Sequence, residues 1–205
     1  MEARSGLRRL HSIAGLVPVG AFLVFHLWTN RQAARGADAF DAAARRLQEM
    51  PLALAAEVLL IAFPLAFHAL YGLYLAATRD PGWPSPAPAR RVLSRIQRVT
   101  GVVVFVFLFF HLWTARLVQI REHSSVDLFR LMQAALASPW IAALYAVGIF
   151  AAIVHLSTGV WTFADAWGLL TSRGARAATA AAAAAVFAVL AVWGVAALRG
   201  FALKP

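Results

Sequence analysis

Four histidines lie on four separate apolar stretches of this sequence, in two matched pairs. Phe25-His26-Leu27-Trp28-Thr29-Asn30-Arg31 returns almost letter for letter as Phe110-His111-Leu112-Trp113-Thr114-Ala115-Arg116. A shorter echo joins His68-x-x-x-Gly72-x-Tyr74 to His155-x-x-x-Gly159-x-Trp161. A neutral imidazole binds a transition metal through one ring nitrogen while the other is free to hydrogen-bond. Such side chains are costly in an apolar span and turn toward the interior of a helix bundle. A lone histidine there is satisfied by a neighbouring carbonyl; four in two sequence-matched pairs point to ligation.

The elements that carry them follow from composition. Of 205 residues, 61% are hydrophobic and only 14% charged, well short of the roughly 25% charged residues of a soluble domain, and the mean hydropathy is +0.70. A span needs about 20 mainly apolar residues. Five stretches qualify, at about 12–29, 52–78, 99–115, 139–164 and 177–198. The expected fold is an all-α integral membrane protein, a single domain over 1–205, with four of five transmembrane helices forming a bundle and the fifth peripheral. Pro51 and Pro139 suit the first turns of the second and fourth spans, and Pro18 and Pro64 are expected to bend the first and second. Arg31–Met50 is expected to form a surface helix and Arg79–Arg98, rich in proline, an extended crossover. The alanine-rich fifth span suits close packing in lipid.

The net charge of +10 sits in loops and termini, which suits anionic lipid or a partner protein and argues against a nucleic-acid groove. With no cysteine, the chain makes no disulfide, thiolate-held iron–sulfur cluster or thioether-linked haem. The first apolar run has no persuasive cleavage site after it and is expected to stay as a span. The Lys and Arg of the loops divide almost evenly between the two faces, and the dense Arg90–Arg98 cluster tips the expectation to an N-terminus inside and a C-terminus outside.

Depth then pairs the histidines. His26 and His111 lie about 7 Å inside Arg31 and Arg116, whereas His68 and His155 lie about 24–25 Å below Pro51 and Pro139 at the same outer face. Two imidazoles at one depth on different helices suit the axial ligation of a b-type haem. Two such levels give two haems. Zinc or copper would draw three or four ligands to one level. His11 and His123, in or near loops, are not expected to be ligands. Gly72 and Gly159 follow their histidines at i+4; Gly148 precedes His155 by seven residues and Gly15 precedes His26 by eleven, near whole numbers of turns. These glycines leave room for a porphyrin or serve close helix packing. Glu57 precedes His68 by 11 residues, about three turns. It either exchanges protons with a quinone or reaches the outer interface. Trp28 and Trp113 suit an aromatic belt; Arg31 and Arg116 meet haem propionates or end their spans.

Taken with the four histidines, several stretches resemble one family across essentially the whole chain. They are Arg8-Arg9-Leu10-His11-Ser12, Gly15, Pro18-Val19-Gly20, Ala33-Ala34-Arg35-Gly36-Ala37, His68-Ala69-Leu70-Tyr71-Gly72 and Gln97-Arg98-Val99-Thr100-Gly101. The family is the single-chain, five-helix, di-haem cytochrome b anchor of bacterial succinate:quinone and quinol:fumarate reductases. The resemblance implies that His26 and His111 ligate the distal haem b, and His68 and His155 the proximal one, nearest an iron–sulfur subunit. It also implies a flavoprotein partner with covalent FAD, menaquinone or another quinone as lipid substrate, a place in the bacterial cytoplasmic membrane, and no dicarboxylate chemistry in this chain. Two alternatives stand beside it. A di-haem cytochrome of the bc-complex type carries two haem histidines on one helix, whereas each span here offers one. A haem-free transporter or structural subunit would be colourless.

Overall fold

A computed structural model describes residues 2–78, 88–117 and 127–202, and the side chains within them except those of 2–5, 88–90 and 115–117. The described residues are helical and contain no strand. Five helices are long and apolar enough to cross a membrane: Gly6–Arg35, Ala53–Ala77, Arg91–Thr114, Pro139–Ala166 and Arg173–Ala202. They are numbered below as the first to fifth spans.

The helices outrun the apolar stretches seen in sequence. The third begins at Pro88 rather than Val99, so residues 88–98 are helix and not the extended crossover expected; residues 79–87 lie outside the described set. Arginine is a good helix former and proline is tolerated in a first turn, so nothing in this stretch opposes the helix. The first span is interrupted by a π turn at Gly15–Val19 that contains Pro18. The second carries a π turn at Glu57–Ala62, just ahead of Pro64. Proline donates no amide hydrogen to the carbonyl four residues back, and a widened turn is one way a membrane helix absorbs that loss. The two π turns touch each other across the first and second spans. A third, Leu112–Leu117, follows His111.

The first four spans close a ring, each packed on the next and the fourth on the first, and the fifth lies in the groove between the first and fourth. Small residues set that groove. A Cβ on Gly200 would strike the Ala33 backbone, and one on Gly194 would come within 2.9 Å of Ile149. Leu27, Ile153, Leu156 and Leu190 fill the contact. Small residues permit such close approach where lipid gives helices no hydrophobic drive to associate. Large side chains such as Phe63, Val106, Phe109 and Trp140 point outward, as lipid-facing residues do.

Two short helices cap one end of the ring. Ala37–Gln48 is the surface helix expected between the first two spans. Leu128–Leu136 was not expected from sequence. Its signals were present: Asp127 caps it, accepting from Arg130 N at 2.9 Å, and Phe129, Met132 and Leu136 fall on one buried face. Phe40 and Phe129 close over Phe201, with ring centroids 5.0 and 5.4 Å from it. At the other end Trp167 donates to Ser12 Oγ at 3.0 Å, tying the fourth span to the first.

Candidate metal centre

The ring brings the histidines together as two couples. His26 and His111 have ring centroids 5.7 Å apart at 79°, and His68 and His155 are 6.1 Å apart at 73°. Two metal–nitrogen bonds of about 2 Å, with about 1 Å more from each nitrogen to its ring centre, put axial imidazoles about 6 Å apart. Both couples have the separation needed to grip one iron from opposite sides. Among the described residues no group of three or more His, Cys, Asp or Glu is placed to hold a metal ion.

Hydrogen bonds orient the His68–His155 couple. His68 Nδ1 lies 3.0 Å from the main-chain carbonyl of His11 on the first span. His155 Nδ1 lies 3.1 Å from the carbonyl of Gln97 on the third. A carbonyl only accepts, so Nδ1 donates in both rings and each Nε2 keeps its lone pair for a metal. The Gln97 amide donates to His155 Nε2 at 3.3 Å, which agrees with that tautomer, and Thr158 donates to Gln97 Oε1. Thr100 Oγ1 is 3.2 Å from His155 Nδ1.

Ring contacts orient the other couple. Phe22 lies against His26, with centroids 5.2 Å apart. Phe107 stacks on His111 at 5.6 Å and the buried Tyr145 meets it edge-on at 5.8 Å. Tyr145 is itself fixed by a 2.7 Å hydrogen bond to Thr114 Oγ1. His111 Nδ1 is buried without a hydrogen-bond partner, an orphaned polar atom of the kind that marks a polar group still to be accommodated.

Five glycines give way to side chains of the bundle interior. Gly15 faces the His68 ring and Gly101 the His155 ring; Gly72 faces His11, Gly148 faces Phe107 and Gly159 faces Gln97. The count of whole turns from Gly15 to His26 assumed a regular helix, and the π turn at Gly15–Val19 breaks it. The count from Glu57 to His68 meets the π turn at Glu57–Ala62 in the same way. Glu57 is half-buried at the start of that turn. Arg31 lies over Trp28 and Trp193, 5.7 and 5.1 Å from their rings, with its Nε buried and unpartnered. The Arg116 side chain and His123 lie outside the described set. Sequence reasoning set His11 aside, yet its ring stacks on His68 with centroids 4.2 Å apart and planes 7° apart. His11 and Gln97 also act through main-chain carbonyls, which carry no sequence signature.

The ring separations of both couples, the tautomers of His68 and His155 and the orphaned His111 nitrogen fit a haem held between each couple. Comparison with known proteins points the same way. The family model of the succinate dehydrogenase/fumarate reductase transmembrane subunit matches residues 85–195. The chain is also 40% identical over 170 residues to the succinate dehydrogenase cytochrome b558 subunit of Bacillus subtilis (strain 168), covering 82% of this chain and 83% of that one. With its membrane-crossing helices, this chain belongs to the succinate dehydrogenase/fumarate reductase transmembrane-subunit family.

Proposed function

We propose that this chain is the di-haem anchor of a bacterial succinate:quinone or quinol:fumarate reductase, passing electrons between an iron–sulfur partner and menaquinone or another membrane quinone. His68 and His155 hold the proximal haem b; His26 and His111 hold the distal one. The observation that carries this reading is the pair of ring separations, 6.1 and 5.7 Å, on four spans that otherwise bury few polar groups. A flavoprotein with FAD and the iron–sulfur subunit dock on the cytoplasmic face beside the N-terminus, with the C-terminus outside.

Bound at these couples, haem b supplies reversible one-electron transfer within the membrane. The chain does the rest. The carbonyls of His11 and Gln97 hold the proximal rings in the ligating tautomer, and a hydrogen bond at the far nitrogen makes the imidazole a stronger donor. The ring packing of Phe22, Phe107 and Tyr145 fixes the distal rings. Arg31, held by two tryptophans, offers a cation to a haem propionate. Glu57 exchanges a proton with the quinone oxygen as charge arrives there. The capping helices Ala37–Gln48 and Leu128–Leu136 exclude water from the distal end.

The test is a pyridine haemochrome assay on the purified full-length chain in its complex. About two haems b per chain are expected from two bis-histidine couples. A complex without a haemochrome band would favour the haem-free structural subunit, and a single haem would remove one couple from the reading.

A further inference from the structure

The first and third spans present the same device at the His68–His155 level. His11 accepts from His68 Nδ1 and Gln97 accepts from His155 Nδ1. Four residues on, Gly15 and Gly101 give way to those same two rings: a Cβ on either would come within 3.0 Å of a ring atom, His68 Nε2 in one case and His155 Cε1 in the other. His11 therefore corresponds to Gln97, and Gly15 to Gly101. Farther along, His26 and His111 meet each other.

The spacings between these landmarks disagree by one residue. From Gly15 to His26 is eleven positions, and from Gly101 to His111 is ten. In regular α-helices one extra residue would turn the second histidine about 100° and lift it about 1.5 Å. Yet both histidines arrive at one site. The third span is unbroken α-helix from Pro88 through His111. The first span holds its π turn, Gly15–Val19, inside the interval in question. A π turn is the form a helix takes when it absorbs one extra residue, and it favours functional sites.

We infer that the first span carries a one-residue insertion between its two cofactor levels, and that the Gly15–Val19 π turn is the positioning device that cancels it and keeps His26 opposite His111. Removing one residue there leaves a regular helix with the spacing of the third span and with His26 still in place. Removing one residue from the matching interval of the third span, which has no slack, swings His111 out of register.

Two readouts test this in the full-length chain in membranes, only the first of which rests on the haem reading. In the first, Pro18 or, separately, Val17 is deleted from the first span, and Val106 from the third. Val17 and Val106 both face lipid, with relative exposures of 58% and 63%, so neither deletion empties a packed site. Redox difference spectra and low-temperature EPR should show both haems retained in the two first-span deletions. The Val106 deletion should lose the distal haem and keep the proximal one. In the second, the same deletions are placed in a His26→Cys/His111→Cys background. The chain has no cysteine of its own, so a short bis-methanethiosulfonate, which joins two thiols by releasing methanesulfinate at each, reports the distance between these two positions alone. Cross-linking should survive in both first-span deletions and fall at least tenfold on deletion of Val106. Loss of the cross-link in both first-span deletions would overturn the inference, and so would its survival when Val106 is removed. A chain without haem that gave the expected cross-link pattern would leave the insertion standing and the haem reading fallen.

Discussion

His68 and His11 are joined twice: their rings stack 4.2 Å apart and nearly parallel, and His68 Nδ1 donates to the His11 carbonyl at 3.0 Å. The hydrogen bond fixes which nitrogen of His68 keeps its lone pair. The stacking fixes the ring's rotation about its Cβ–Cγ bond. Gly15, on the turn after His11, completes the slot. A residue with no expected part in ligation thus sets the geometry of a proposed ligand.

The slot has no room for a side chain. Gly15→Val should drive the His68 ring from its seat, and Gly101→Val should do the same to His155, with an overpacking cost of about 1–3 kcal/mol in each case. The expected result is loss of the proximal haem with the distal haem kept, measured as a fall of about half in haemochrome content. Full haem content in both variants would show that the glycines serve helix packing alone.

Glu57 opens the π turn of the second span. Glu57→Gln keeps the size and hydrogen-bonding ability of the side chain and removes its proton exchange. Quinone turnover should slow by about 100- to 10,000-fold, the range general acid–base groups contribute, with both haems in place. Unchanged quinone kinetics would return Glu57 to an interfacial role.

Asp41, on the capping helix Ala37–Gln48 and outside the spans, has its carboxyl pushed above the usual carboxylate range, first by burial and then by the charge of Asp127. A raised folded-state pKa means that folding favours the protonated form. The stabilising contribution is present in full below the unfolded value of 3.8 and is lost as pH rises through the folded value. Asp41→Asn should therefore raise the thermal midpoint at pH 7, and the gain should shrink as pH falls toward 4. A gain that is the same at both pH values would mean that the ionised carboxyl is not what costs stability.

Much of this architecture is written in residue types. Five apolar stretches set five spans, and the repeats around His26 and His111 and around His68 and His155 already paired the rings that the fold brings together. Other features are not legible that way. Any residue can supply a main-chain acceptor, so the carbonyl contacts of His11 and Gln97 left no mark in the sequence. The π turns change helical phase without changing composition, so a count of whole turns such as Gly15 to His26 does not carry over unchanged. The Leu128–Leu136 helix carried a cap and a buried face, yet at nine residues its pattern is short beside the long apolar runs on either side.

The central claim is that the four histidines act as two fixed couples. EPR of ferric low-spin haem in the four single variants His26→Ala, His68→Ala, His111→Ala and His155→Ala tests it most directly. His26→Ala and His111→Ala should abolish one and the same signal, and His68→Ala and His155→Ala the other, with the surviving signal kept in each. A different grouping, such as His26 and His68 silencing one signal together, or no signal lost from any variant, would contradict it.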